Sequence, residues 1–181
     1  HILVFSQTQG FRHGSISDGH SAISKLAASH SIEVDSTESS DVFTDEGLAK
    51  YDAVMFLNTT GDVLNEQQQI AFQRYIQGGG GYIGVHSASD TEYGWPWYGQ
   101  LVGAYFVDHP AIQEARLVVD DSRHPSTAHL DDEWVRSDEW YNHRFVNDNL
   151  NVLLSIDKQS YDAGTDTFEG FEGVRGGAGD D

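Results

Sequence analysis

The chain has 181 residues, 38% of them hydrophobic and none cysteine, and carries a formal net charge of −19. That length and apolar content suffice for one folded domain without disulfide or metal staples. The composition excludes a thiol nucleophile, and with only three lysines it offers no basic patch for nucleic acid or for an anionic membrane surface. Neutral sugars are not disfavoured in this way. No apolar run approaches the roughly 20 residues needed to span a bilayer, and no signal-peptide pattern opens the chain. A soluble protein is expected, and the acidic, lysine-poor surface leans to a secreted bacterial protein over a salt-tolerant cytoplasmic one.

In chain order, Ile2 to Phe5 is an unbroken apolar run read as a strand. A polar loop over residues 7–14 follows, then a helical pattern in which Ile16, Ile23, Leu26 and Ala27 share one face. Ile32 to Asp35 alternates and predicts a second strand, with a Ser/Thr/Asp-rich loop over residues 36–41 and a brief helix over 45–50. Residues 52–57 form a third, doubly buried strand. Asn65 and Gln68 then stand in capping-box positions at the head of a helix that Gly78 stops. Tyr82 to Val85 is the fourth strand. Four strands alternating with helices predict parallel βαβ units in a doubly wound sheet.

The later third is less regular. A helix is expected from about Trp95 to Ala104, a strand within residues 112–119, a mixed aromatic and charged segment over 131–147, and a strand within 151–156. Residues 157–181 carry almost no periodic apolar signal and read as a loop-like tail. In that tail Tyr161, and Phe168 or Phe171, are the expected anchors. No linker marks a second domain, so residues 1–181 are read as one.

Three loops follow strands of the predicted sheet: Gly10-Phe11-Arg12-His13, Thr60-Gly61-Asp62, and His86-Ser87 with Asp90. In a parallel sheet they open on one edge, where ligands bind. His13 and His86 supply a candidate acid/base pair, since imidazole exchanges protons near neutral pH. Asp62 and Glu139 are candidate orienting or assisting carboxylates. Arg12, Thr60, Gly61, Ser87, Asp90 and His109 are candidate ligand contacts, with Trp95, Trp140 and Tyr141 as rings for stacking on sugar faces. No metal is required. The histidines lack regular ligand spacing, although His13, His86 and His109, with His143 behind them, are candidate ligands for a divalent ion.

Gly10 to His13, Val42-Phe43-Thr44, Phe56 to Asp62, Gly79 to Asp90, Trp95 to Tyr98, Gly103 to Phe106 and Asp138 to Asn142 together resemble the trehalose-utilisation, or ThuA-like, family over nearly the whole chain. The resemblance implies an α/β fold like the class I glutamine amidotransferases, a flavodoxin-like three-layer sandwich with a central, mostly parallel sheet. Amidotransferases of that fold place a cysteine at the turn where this chain has Val85-His86-Ser87. The likeness therefore carries shape and not amide hydrolysis.

What it implies is a role in carbohydrate metabolism, on sugars or keto-sugar derivatives of disaccharides such as trehalose. The chemistry expected is of the isomerase or lyase type. The ligand is a small molecule or oligosaccharide, and self-association into a homo-oligomer stays open. Two other readings stand beside it: a non-catalytic carbohydrate-binding domain of a larger secreted protein, and a metal-assisted hydrolase. Family members continue beyond the segment matching Gly179-Asp180-Asp181, so the resemblance also implies a chain truncated at its carboxyl end.

Overall fold

Four short strands, β1 (Ile2–Phe5), β2 (Val34–Thr37), β3 (Ala53–Leu57) and β4 (Gly81–Val85), pair side by side in the computed structural model of the chain. The structure describes residues 1–144 and 146–164. The strand order is β2-β1-β3-β4 and every pairing is parallel. Phe5 lies opposite Phe56, and Leu57 opposite Val85, so the carboxyl ends of β1, β3 and β4 are nearly level. The described residues divide into two compact units, one from His1 to Tyr98 and the other from Gly99 onward.

In the first unit, alternation of side chains along the strands sends Phe5 and Phe56 to one face of the sheet and Leu57 to the other. On the first face Phe5, Phe43, Phe56 and Phe72 form a chain of ring contacts with centroids 4.7–5.8 Å apart. Phe72 comes from α3 (Glu66–Gln77), and Phe43 stands just before α2 (Asp45–Leu48). On the other face α1 (Ile16–Ser29) comes down so closely that a methyl group on Gly19 would meet Leu57 at 3.0 Å. Helix, sheet and helix make the three layers expected of a flavodoxin-like unit.

Local rules account for most of these elements. The capping box at Asn65 is formed: its side chain accepts from the Gln68 amide, and Gln68 returns the bond to the Asn65 amide. The left-handed turn that ends α3 falls on Gly79, at φ +101°, one residue after the expected stop. Leu26 is 63% exposed, and α1 buries Ile16 and Ala27. The second strand runs Val34–Thr37, two residues later than its alternation suggested, because it pairs with β1 in the register that sets Ile2 against Val34. A short 3-10 turn over Ser40–Val42 interrupts the loop expected there.

The chain crosses between the units in α4 (Pro96–Val102). The second unit holds two antiparallel sheets. In one, β5 (Tyr105–Asp108) pairs with β8 (Asn142–Arg144), with an irregularity between Phe106 and Asp108. In the other, β6 (Gln113–Val119) runs between β7 (Glu133–Asp138) and β9 (Leu154–Ile156). Ala115, Leu117, Trp140 and Ile156 form its buried cluster, with Trp134, Leu154 and Tyr161 packed against it. Phe168 and Phe171, the other expected anchors of the tail, lie outside the described residues. Among the described residues no helix is long and apolar enough to cross a membrane.

Candidate functional site

A parallel sheet of order β2-β1-β3-β4 reverses its winding between β1 and β3, and the crevice outside the strand ends at that point is where such folds take ligands. The loop after β1 carries His13, the loop after β3 carries Asn58 to Asp62, and the turn after β4 carries His86 to Asp90. The His13 and His86 rings stand edge to face, centroids 4.6 Å apart and planes at 80°. Ser87 is fully buried, with its hydroxyl 3.3 Å from His13 Nδ1, which holds the ring in place.

His86 itself sits at φ +51°, in the left-handed region that a non-glycine residue avoids. Asn58, at the end of the neighbouring strand, does the same at φ +51°, and Glu92 at +56°. Asparagine tolerates this conformation, whereas histidine pays roughly 1–2 kcal/mol for it. Strain of this kind persists where surrounding structure over-determines it, and it clusters at functional sites. At His86 the turn runs straight from β4 into a 3-10 segment (His86–Asp90), with Ala88 fitted against Gly84: a methyl on Gly84 would stand 3.2 Å from the Ala88 Cβ.

The surrounding loops are stitched together through backbone groups. Thr60 is buried, and its hydroxyl accepts from the Gly10 amide at 3.2 Å and donates to the Phe11 carbonyl at 2.9 Å. The Gly61 amide donates to the Asp90 carbonyl and the Glu92 amide donates to the Gly61 carbonyl. Gly61 is at φ +75°, and a Cβ there would meet Gln9 at 3.0 Å. Thr60, Gly61 and Ser87 thus lie behind the histidine pair and fix its loops. Asn58 Nδ2 donates to Ser15 Oγ, tying the third strand's end to the start of α1.

Asp90 is half-buried and accepts from the Tyr93 hydroxyl at 2.5 Å. Burial pushes its carboxyl up from the ordinary range, while the Tyr93 bond and the charge of His13 oppose the shift. Glu92 is 1% exposed, and one of its oxygens accepts from the Val63 and Leu64 amides, the other from Gln69 Nε2. Burial raises its carboxyl too, against those three bonds. Asp62 and Arg12 are exposed, and Arg12 forks onto Glu38 through two bonds of 2.7 and 3.1 Å. Trp95 packs on Trp97, Tyr98 and Phe72 in the first unit's aromatic core.

The other candidates belong to the second unit. His109 Nδ1 lies 2.8 Å from the Pro110 carbonyl. A carbonyl can only accept, so the proton sits on Nδ1. Its ring stacks on Tyr141 with centroids 5.9 Å apart, and its Nε2 lies 3.9 Å from Glu139. Tyr141 is buried, with its hydroxyl 3.4 Å from Glu139 Oε2. Trp140 is 7% exposed, and its indole N–H donates to the Gln113 carbonyl inside the sheet cluster. Those two rings pack into the second unit's interior.

His143, on β8, is 6% exposed, and neither ring nitrogen reaches a hydrogen-bond partner among the described residues. Burial pushes it down to about 4 from 6.5, with the Tyr141 backbone weakly opposing. The unfolded chain therefore takes up this proton first as pH falls. Stability is lost between about pH 6.5 and 4 and changes no further, from this residue, below that. At about 1.4 kcal/mol per unit the total is about 3 kcal/mol. Urea titrations of the wild type and His143→Phe at pH 7 and 4.5 should show the variant losing less stability on acidification. An identical loss in both would remove His143 as the cause.

Sequence reasoning overlooked three residues. Glu92 gave no signal, because its burial depends on partners distant in sequence, and Asn58 was legible only as part of the polar loop after the third strand. Phe11 did give one, an apolar side chain in a polar loop. It is 69% exposed, with its ring 4.9 Å from that of His13 at 82°.

The family model for ThuA, trehalose utilisation, matches residues 1–175. A thua-like protein from Bacteroides uniformis is 25% identical, with a TM-score of 0.74 over 88% of this chain and 69% of its own. A thua-like protein from Parabacteroides merdae is 19% identical, with a TM-score of 0.73 over 87% of this chain and 69% of its own. A cytoplasmic protein from Salmonella typhimurium shares the fold at 11% identity and a TM-score of 0.56, over 86% of this chain and 78% of its own. No curated protein matches the sequence. With its parallel sheet, its three layers and a match that runs from the first strand almost to the last residue, the chain belongs to the ThuA, trehalose-utilisation, family.

Proposed function

We propose that this protein is a carbohydrate-acting enzyme that moves protons on a keto-sugar derivative of a disaccharide such as trehalose, by isomerisation or elimination. His86 and His13 are its acid/base pair. The observation that carries the reading is the strained, left-handed His86 at the carboxyl end of β4 with the His13 ring against it. Membership of a family described by trehalose utilisation supports a carbohydrate-related role.

A proton next to a sugar carbonyl leaves when a positioned base takes it while an acid protonates the oxygen that gains charge. A neutral imidazole offers one N–H and one lone pair. Two imidazoles at this spacing present a base to one atom and a donor to the next. Ser87 acts through His13, by fixing its ring. The half-buried Asp90 carboxyl, anchored by Tyr93, lies near enough to His13 for the two to interact electrostatically.

The test is turnover of 3-keto-trehalose and related 3-keto-disaccharides, followed by proton exchange with deuterated water at the carbon beside the carbonyl. The wild type should catalyse the exchange, and His13→Gln should lower it about 10²-fold or more. Dialysis against a chelator should leave the rate unchanged. Loss of activity restored by zinc or manganese would favour metal-assisted hydrolysis instead. Tight sugar binding without exchange or turnover would make this a binding domain.

A further inference from the structure

Phe11 is the most exposed of the large hydrophobic side chains among the described residues, at 69%. Scattered exposed apolar residues are ordinary, but Phe11 differs from Leu26 or Ile112 in how and where it is held. Its carbonyl accepts the buried Thr60 hydroxyl, and the amide before it donates to the same oxygen. The residue after it is forked onto Glu38 by two hydrogen bonds. The backbone on both sides is therefore fixed while the ring faces solvent. The ring stands edge to face against that of His13, which in turn stands against His86.

Phe11, His13 and His86 thus form a row of three rings with centroid steps of 4.9 and 4.6 Å. Each step is comparable to the width of one pyranose ring. The axial C–H bonds on one face of a pyranose carry partial positive charge and are attracted to the negative face of an aromatic ring, which also removes apolar area from water. Trp140 and Tyr141 are buried in the second unit and Trp95 packs on Trp97 and Tyr98, whereas Phe11 presents its ring to solvent beside His13.

We infer that Phe11 is a sugar-stacking subsite: it binds the pyranose next to the one being transformed, and selects cyclic over open-chain ligands. The inference rests on the proposed carbohydrate reading of the same site. A preorganised ring loses little conformational freedom on binding, so the contact contributes to affinity rather than to ordering the loop. Its effect lies in KM and not in kcat, since the ring has no group to exchange a proton.

Calorimetric titration with trehalose, methyl α-glucoside and open-chain sorbitol tests it, on the wild type, Phe11→Ala and Phe11→Trp. Phe11→Ala should weaken trehalose binding about tenfold, with Phe11→Trp restoring it and the melting midpoints unchanged. Sorbitol should bind weakly to all three. Where 3-keto-trehalose is turned over, Phe11→Ala should raise KM about tenfold at constant kcat. Trehalose binding unchanged in Phe11→Ala, or absent from the wild type, overturns the subsite. Turnover with an unchanged KM removes Phe11 and leaves the enzymatic reading standing. Phe11-dependent binding without turnover removes the enzyme and leaves the subsite.

Discussion

His86→Gly should be more stable than His86→Ala by about 1 kcal/mol, while both lose turnover by about 10²–10⁴-fold. Both variants lack the imidazole and its contact with His13, so the comparison isolates the backbone. At φ +51° alanine keeps the strain of an L side chain, whereas glycine relieves it. His86→Asn tolerates the left-handed turn but has no group that titrates near neutrality, and should fold well and remain inactive. Chemical denaturation of the three proteins with turnover of 3-keto-disaccharides checks the pattern. Equal stability of the glycine and alanine variants would mean that the turn stores no strain. Full activity in His86→Asn would remove His86 from the chemistry.

Glu92→Ala should cost about 3–5 kcal/mol, the largest effect on stability expected from a single polar change in the first unit. The Glu92 carboxylate is fully buried and is the acceptor for the Val63 and Leu64 amides and for Gln69 Nε2. Truncation orphans two backbone donors and opens a void. Glu92→Gln keeps an acceptor for the amides, but turns an NH2 toward the Gln69 NH2 and loses the charge-assisted bonds, so about half the loss is expected. Because the Glu92 amide also binds Gly61, the loops carrying Thr60 and His86 should loosen together and turnover should fall with stability. Urea midpoints and kcat measured on the same preparations decide this. An alanine variant as stable as wild type would show that the carboxylate does not hold these loops.

Phe11 and His86 illustrate what could be read ahead of the structure and what could not. His86 was legible as a strand-end residue, because the glycine-rich turn and the apolar run before it set the period and the end of β4. That the turn is left-handed at a histidine depends on Gly84 and Ala88 meeting across it, a contact no local pattern announces. Trp140 and Tyr141 read as candidate sugar platforms by type. Which aromatic is buried depends on which face of a sheet it is sent to, and among the described residues the ring most open to solvent is Phe11.

Sequence alone determined the βαβ order, the capping box at Asn65, the placement of His13, Asp62 and His86 after parallel strands, and the family. These follow from local propensity and from the rule that level parallel strands put their following loops on one edge. Tertiary structure decided the rest. Register moved β2 two residues along the chain, packing against Leu57 chose Gly19 and not Leu26 for the inner face of α1, and the burial of Glu92 turned an ordinary acidic residue into the tie between two site loops. The physical reason is common to all three: each depends on a partner distant in sequence, and a short window of residues contains no information about that partner.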